Sequence, residues 1–556
     1  MSTAVFDFDA YLGFGLYQIV VLIVYFLHMF CALNTMYFMS TAALKPVIHC
    51  MENSSHYLNS TTFNRNTTLF DNSAEVTYVN MEQACAAIHT GRCFNYTLSA
   101  PVFESIAYEW GLICADLAKV YSPTTWQMLG VMVGAPAFGQ LSDRFGRRKM
   151  LIVSWTGVGL CQILSSFVPN YTWFTISRAI IGMLCGGQIT TCYVLMCEFM
   201  SMKDRFVIMC LSGWALCNFP MVLLTWACRG WRNYALWQGI LCLPGILIVI
   251  FLVDESPRWL MTKSRRSDAE QVLRSVAERN RKQIDLRQLQ TELDKGLAAL
   301  RKSAETHRPR YSFWHLCYNW RLTRYTIALG FNWFTASAGS YSIGFGVGNL
   351  ANNIYFNWLI MGAAAYAAEM SSFLSTRIMK RMGRKPLLAI LWAFVLCMYT
   401  TYTVCSFLGS YEHRQVIRFA NIIAGAVLAP VWILIYLLSA ELYPTPIRNI
   451  ANGSMSFCAR IGGALAPQIV FLSEGHPQVS TSIMTAFVLT TLILTLTCLD
   501  ETMGQSLPER MPPAEERIRL FACLERDRAE LGQHAEEGQE MIVTNDVGCR
   551  KTMNDD

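Results

Sequence analysis

Charged side chains are scarce in this chain. Asp, Glu, Lys and Arg make up 15% of its 556 residues, where a soluble protein carries about 25%. That shortage excludes a molecule wetted over its whole surface. A phosphate-cradling GxxxxGK[ST] loop is missing, so nothing here points to work driven by bound ATP. Clustered nucleophiles, bases or metal ligands are missing as well, which makes an enzyme the least supported class, and no cofactor is expected. No cleavable leader is expected either. The first apolar run is too long for one and ends in Met36-Tyr37-Phe38-Met39-Ser40 rather than at a small-residue cleavage site.

Apolar length is what the chain has in abundance. Hydrophobic residues make up 53% and the mean hydropathy is +0.30. Runs of about 20 residues, long enough to cross roughly 30 Å of hydrocarbon, recur at 14–42, 124–141, 150–169, 173–197, 206–227, 234–253, 325–347, 354–378, 385–407, 416–439, 450–472 and 479–499. The reading is an all-α membrane protein with twelve transmembrane helices. It divides into a first half, 1–253, an inter-half loop, 254–324, a second half, 325–499, and a tail, 500–556.

The net charge of +6 reports orientation, not a nucleic-acid partner. Basic residues concentrate between spans 2 and 3 (Arg144, Arg147, Arg148, Lys149), between 6 and 7, and between 8 and 9 (Lys380, Arg381, Arg384, Lys385). The long segment 43–123 holds only Lys45, Arg65, Arg92 and Lys119. The positive-inside rule then places both termini in the cytoplasm and 43–123 outside.

That outer segment carries four glycosylation sequons, at Asn53, Asn59, Asn66 and Asn95, together with Cys50, Cys85, Cys93 and Cys114. Two disulfides are expected, in one of three pairings, with Cys114 reduced at the membrane boundary as the alternative. In the inter-half loop, residues 268–303 read as one amphipathic helix carrying Val272, Val276, Ile284, Leu286, Leu289 and Leu293, packed under the bundle and tethering the halves. The tail after Glu501 reads as partly disordered.

Two patterns occur twice. Gly139-Gln-Leu-Ser-Asp143-Arg-Phe-Gly146-Arg147-Arg148 follows span 2, and Lys380-Arg381-Met382-Gly383-Arg384-Lys385 follows span 8. Glu198 precedes Arg205 by seven residues after span 4, and Glu441 precedes Arg448 by seven after span 10. The copies lie about 240 residues apart, which marks a duplicated six-helix unit. Asp143, Glu198 and Glu441, facing Arg147, Arg148, Arg205 and Arg448, can form ion pairs that make and break as one face closes and opens. The competing reading is orientation signal and headgroup contact, which the acids serve poorly.

The first of these loops resembles the signature of the major facilitator superfamily. Glu255-Ser-Pro-Arg-Trp-Leu260, Glu441-Leu-Tyr-Pro-Thr445 and the cysteine-bearing glycosylated loop look like the organic cation, anion and zwitterion transporters of solute carrier family 22. The resemblance implies the major facilitator fold in the plasma membrane and a small organic ion as substrate; the coupling ion stays open. Lys380 where an acid is usual, and Leu499-Asp500-Glu501-Thr502-Met503-Gly504 in place of Pro-Glu-Thr-Lys-Gly, depart from the pattern in the second half.

Charges inside spans cost about 2.5–3.5 kcal/mol each on insertion scales and mark function. Glu369 in span 8 and Arg460 in span 11 both lie near mid-membrane. Arg460 looks like the anion and carnitine branches of the family, whereas Glu369 stands where anion transporters resemble one another in having Lys. The pair suits a zwitterion, or else an internal ion pair. Aromatic pairs spaced i, i+4 share a helix face: Tyr341 with Phe345, and Trp432 with Tyr436. They are candidate walls for organic cations, with Trp333 and Trp358 behind them. His28, Gln188 and Asn218 are further polar groups within spans. Competing functions are a sugar or neutral-solute porter, which would need clustered amides in span 7, and a non-transporting receptor or scaffold.

Overall fold

A computed structural model describes residues 11–512 apart from 54–66, 201–213, 306–311, 348–352, 375–382, 409–413 and a few shorter gaps. Twelve membrane-spanning helices organise it: α1 (Leu16–Ala42), α2 (Leu117–Phe145), α3 (Arg147–Ser165), α4 (Tyr171–Phe199), α5 (Asn218–Cys228), α6 (Trp231–Leu252), α7 (Trp320–Gly346), α8 (Ile354–Leu374), α9 (Arg384–Leu408), α10 (Arg414–Leu442), α11 (Arg448–Gly475) and α12 (Pro477–Cys498). In hydrocarbon every backbone N–H and C=O must be satisfied within the segment, so an apolar run of this length folds as helix. Seven of these helices are apolar enough to cross a bilayer on length and composition alone. α2 and α7 are richer in small and hydroxyl residues, because they pack against neighbours: Gly130 and Gly134 on α2 bring its backbone against α4 at Ala179 and Met183.

The boundaries move where hydropathy is a poor guide. α2 begins at Leu117, seven residues before the apolar run, and α7 begins at Trp320, five residues early. The expected span from 206 is described only from 214 onward, where α5 is its helical part.

The segment between α1 and α2 folds as a small sheet domain, which apolar periodicity did not reveal. Strands β1 (Val47–Asn53), β2 (Thr67–Phe70), β3 (Ser73–Tyr78) and β4 (Cys93–Ser99) form an antiparallel sheet in the order β2-β3-β1-β4. Cys50 pairs with Cys93 and Cys85 with Cys114, one of the three open pairings. Glu109 anchors this domain to the start of α6 through Arg232, at 2.5 Å, and the Trp231 indole, at 2.8 Å.

On the opposite face, the single amphipathic helix expected over 268–303 is two helices, Arg266–Arg279 and Leu286–Glu305. Val276, Leu289 and Leu293 are buried as expected, but Leu286 is exposed. The buried residues join the apolar core that contains Leu12, Tyr17 and Val21, so the pair packs under the first half. Tyr11 and Asn280 add hydrogen bonds to Glu292 and to the Tyr17 backbone. Among the described residues these contacts are made to the first half.

One apolar core centres on Trp155, Val158 and Leu195 of the first half and continues into Phe345, Trp358 and Val470 of the second, and the other lies within the second half around Trp392, Val395 and Leu434. Between the halves, the described hydrogen bonds and ring contacts gather toward the sheet face. The Gln468 side-chain amide donates to Thr125 Oγ1 at 2.9 Å, and Tyr121 packs on Phe471.

Candidate functional site

The duplicated loops build the same object twice on the face opposite the sheet. Gly146 and Gly383 sit at φ +113° and +78°, where other residues are strained. A Cβ at either would also strike a carboxylate, Glu255 Oε2 at 2.4 Å or Glu501 Oε2 at 2.6 Å. Those carboxylates cap the helices that follow. Glu255 Oε1 accepts from the backbone N–H groups of Arg147 and Arg148 at 2.9 and 3.0 Å. Glu501 accepts from Arg384 and Lys385 at 2.9 and 3.1 Å. A carboxylate over the first turn satisfies orphan donors and the positive end of the helix dipole together.

Ion pairs extend the pattern. Arg147 contacts Glu198 at 3.4 Å and Asp143 at 2.8 Å, and Arg384 contacts Glu441. Each of these pairs lies within one half. Of the arginines seven residues after each glutamate, Arg448 reaches the Tyr443 carbonyl at 3.5 Å rather than Glu441, and Arg205 lies outside the described residues. Arg148 donates to the backbone carbonyls of Val249 and Ile250 at the end of α6. Asp143 keeps its side chain 71% exposed. The departure at the end of α12 turns out to be a tie, since Asp500 binds Arg321, Arg324 and the Tyr325 hydroxyl at the start of α7. Sequence reading missed Glu255, Asp500 and Glu501 as a unit. The signal was present: Asp254-Glu255-Ser256 and Asp500-Glu501-Thr502 are 246 residues apart.

Deeper in the bundle, Arg460 stands twelve residues into α11, about 18 Å from its start. Its guanidinium is close enough to act electrostatically on the hydroxyls of Tyr341 and Tyr436 and, across the cleft, on the Cys185 thiol of α4. Tyr436 is 47% exposed and within electrostatic reach of Tyr25 on α1, so its open face looks into the cleft between halves. Glu369 lies fifteen residues into α8, about 22 Å from the sheet-face end. It lies within electrostatic range of Cys217 ahead of α5.

Glu369 and Arg460 therefore share a depth on different helices: α8 packs on α5 and α10, whereas α11 packs mainly on α2, α7 and α12 and more lightly on α10. The expected internal ion pair is not among the described salt bridges. Instead Glu369 Oε2 and Arg460 Nε are both buried without a hydrogen-bond partner.

The aromatic candidates separate. Trp432, Tyr436 and Trp333 cluster inside the second half, with Trp333 and Tyr436 ring centres 4.2 Å apart and the Trp432 indole donating to Ser340. Phe345 faces the first half. With Tyr341 and Trp358 it closes around Tyr37 of α1, at centroid distances of 5.1–5.8 Å, in a plug that joins the halves near the sheet face. Trp333 and Trp358 are buried. His28 is buried between Tyr25 and Trp155, a packing position; Gln188 is buried and Asn218 packs on Gly362.

Sequence reading also missed two intramembrane arginines, Arg178 and Arg418, 240 residues apart and buried. Arg178 donates to Gln162 and Ser165 and stacks on Phe38 at 4.2 Å; Arg418 donates to Asn357 at 2.8 Å. Their repeat spacing was the available clue. Of the four sequons, Asn95 is exposed on β4, Asn53 ends β1, and Asn59 and Asn66 lie outside the described residues.

The family described as "Sugar (and other) transporter" matches residues 117–511. Solute carrier family 22 member 16 of Xenopus laevis is 31% identical over 428 residues, covering 74% of this chain and 71% of that protein. The chain belongs to solute carrier family 22. Other family relatives include member 16 of Homo sapiens, 28% identical over 80% of this chain and 73% of that protein. The organic cation transporter protein of Drosophila melanogaster is 28% identical over 79% of each. Among solved structures, the xylose transporter XylE from E. coli, in a partially occluded inward-open conformation, superposes with a TM-score of 0.57 at 16% identity. It covers 88% of this chain and all of that one. That likeness shows the major facilitator fold. Like other members of the family, this chain is a membrane transporter and not an enzyme.

Proposed function

We propose that the chain carries small organic ions across the plasma membrane by alternating access, with the sheet domain outside and both termini in the cytoplasm. The distribution of basic residues supports that orientation, and the name of one relative, the organic cation transporter protein of Drosophila melanogaster, supports an organic ion as substrate. In this orientation the described contacts support an inward-facing state: the aromatic plug around Tyr37 holds the halves together on the outer side, while the described inner ion pairs stay within their own halves. Asp143, exposed and paired only with Arg147 of its own half among the described salt bridges, is then the group placed to meet the second half when the inner face closes, and Arg147–Glu198 and Arg384–Glu441 hold the flanking helices in place for it.

The observation that carries the substrate reading is Arg460, a mid-membrane guanidinium with an unpartnered Nε beside two tyrosine hydroxyls. It receives a carboxylate or comparable anion, Tyr436 and Trp432 flank its organic body, and Glu369 receives a cationic end when there is one. A zwitterion of the carnitine type or an organic anion fits this arrangement best. A sugar porter would use amides in α7, but Asn332 is fully buried and engaged by Thr495 and Trp392.

The test is uptake of labelled carnitine, a small quaternary ammonium and an aromatic carboxylate by wild type and Arg460→Ala. A charge-assisted contact of about 1.5–3 kcal/mol predicts a 10- to 100-fold loss of kcat/KM for the two carboxylates. If wild type moves only the ammonium and Arg460→Ala leaves that unchanged, Arg460 is not in the site. If none of the three enters or competes for binding, the organic-ion reading itself fails and a scaffold role replaces it.

A further inference from the structure

Glu369 poses a question that the substrate alone does not answer. Its Oε2 is buried with no hydrogen-bond partner, and no described salt bridge gives it a cation. Among the described residues, few groups face it. Cys217 lies within electrostatic range on the α5 side. α10 presents Arg418, engaged with Asn357 toward the outer face, Glu441, engaged with Arg384 at the inner face, and Tyr436, beside Arg460. α8 itself carries Tyr355 and Tyr366. None of these is an available cation. An isolated carboxylate at this depth is among the costliest arrangements a bundle can hold. The cleft must therefore supply a positive charge whenever Glu369 is occluded.

A zwitterion brings that charge with it. An organic anion does not, yet the same cleft holds Arg460, which suits an anion. We propose that Glu369 is the proton site of a proton–organic anion symport, in which a proton from the medium takes the place that a substrate ammonium would fill. Arg460 holds the anion on the α11 side and Glu369 holds the proton on the α8 side, so the loaded cleft gains no net charge. The absence of a Glu369–Arg460 pair among the described salt bridges, with Glu369 Oε2 and Arg460 Nε both left unpartnered, is what makes this possible. A direct Glu369–Arg460 pair would neutralise both groups and leave neither anion nor proton a place. The inference rests on Arg460 as the anion site.

The test uses the full chain in sealed proteoliposomes containing a lumenal pH dye. The substrate is an aromatic sulfonate, which stays charged and does not leak through lipid as a neutral acid. With an acidic exterior, wild type should accumulate the sulfonate and acidify the lumen together. Electroneutral one-to-one coupling sets about a tenfold accumulation per pH unit, the tenfold that 1.4 kcal/mol represents. Carnitine uptake by the same vesicles should not move the dye. In Glu369→Gln, whatever sulfonate exchange survives should be indifferent to the pH gradient, and Glu369→Asp should restore the response. If wild-type sulfonate exchange is saturable and lost in Arg460→Ala but ignores the gradient, the proton role falls while the anion site stands. The same holds if Glu369→Gln remains coupled. If the sulfonate neither exchanges nor competes for binding, the anion site itself falls, and this inference with it.

Discussion

Replacing Gly383 by Ala should destabilise the second half through one carboxylate, Glu501. At φ +78° the backbone is left-handed, which costs a residue with a Cβ about 1–2 kcal/mol. The new Cβ would lie 2.6 Å from Glu501 Oε2 and 3.0 Å from its Cδ, so the carboxylate must move. Moving it loosens its bonds to the N–H groups of Arg384, Lys385, Thr502 and Met503. Charge-assisted bonds of this kind contribute about 1.5–3 kcal/mol against water. Gly383→Ala should therefore cost about 3 kcal/mol, and Glu501→Gln about 2. Because both act on the same cap, the double variant should cost about 1–2 kcal/mol less than the sum. The assay is thermal unfolding of the purified protein in one detergent, run on wild type, both single variants and the double. Strict additivity would refute the cap as the reason for the glycine. So would a Gly383→Ala protein as stable as wild type.

Acid should act on the same cluster. Burial pushes the Glu501 carboxyl up, but the backbone N–H groups of Arg384, Met503, Lys385 and Thr502 outweigh it and hold the group below the usual carboxylate range. Burial likewise opposes Asp500, and the Tyr325 hydroxyl with Arg321 and Arg324 holds it low. A depressed folded value means that the stabilisation is present above the ordinary carboxylate pKa of about 4 and is lost as pH falls through the lower folded value. Wild type should lose thermal stability steeply below about pH 4, and Asp500→Asn/Glu501→Gln should show a shallower loss; equal acid slopes would count against the cluster. Peptide mapping without reduction should recover Cys50 linked to Cys93 and Cys85 to Cys114, and the exposed Asn95 should be glycosylated in a eukaryotic host. A crossed linkage, or an Asn95→Gln protein with unchanged mobility, would contradict the sheet domain or its outside location.

Depth and order along the chain are legible in the amino-acid sequence. Apolar length marks the spans, since a helix in hydrocarbon must be apolar over about 20 residues whatever surrounds it. The near-240 offset marks the halves, and it also runs through Asp500-Glu501 and Arg178/Arg418, where only the observed contacts give it meaning. The sheet domain is not legible, because its polar strands carry no strong alternation and its register is held by long-range pairing and two disulfides.

Azimuth and partner choice come only from the packed bundle. A sequence says how deep Glu369 and Arg460 sit, but helix rotation and neighbours decide that one faces the α5 seam and the other α4, α7 and α10. The same freedom assigns Arg147 to Glu198 and Arg384 to Glu441. It also turns Phe345 into a plug against Tyr37 while leaving Tyr436 open to the cleft. Hydropathy is a property of each residue and is read locally; a pairing depends on how helices far apart in sequence cross, and only the tertiary structure holds that.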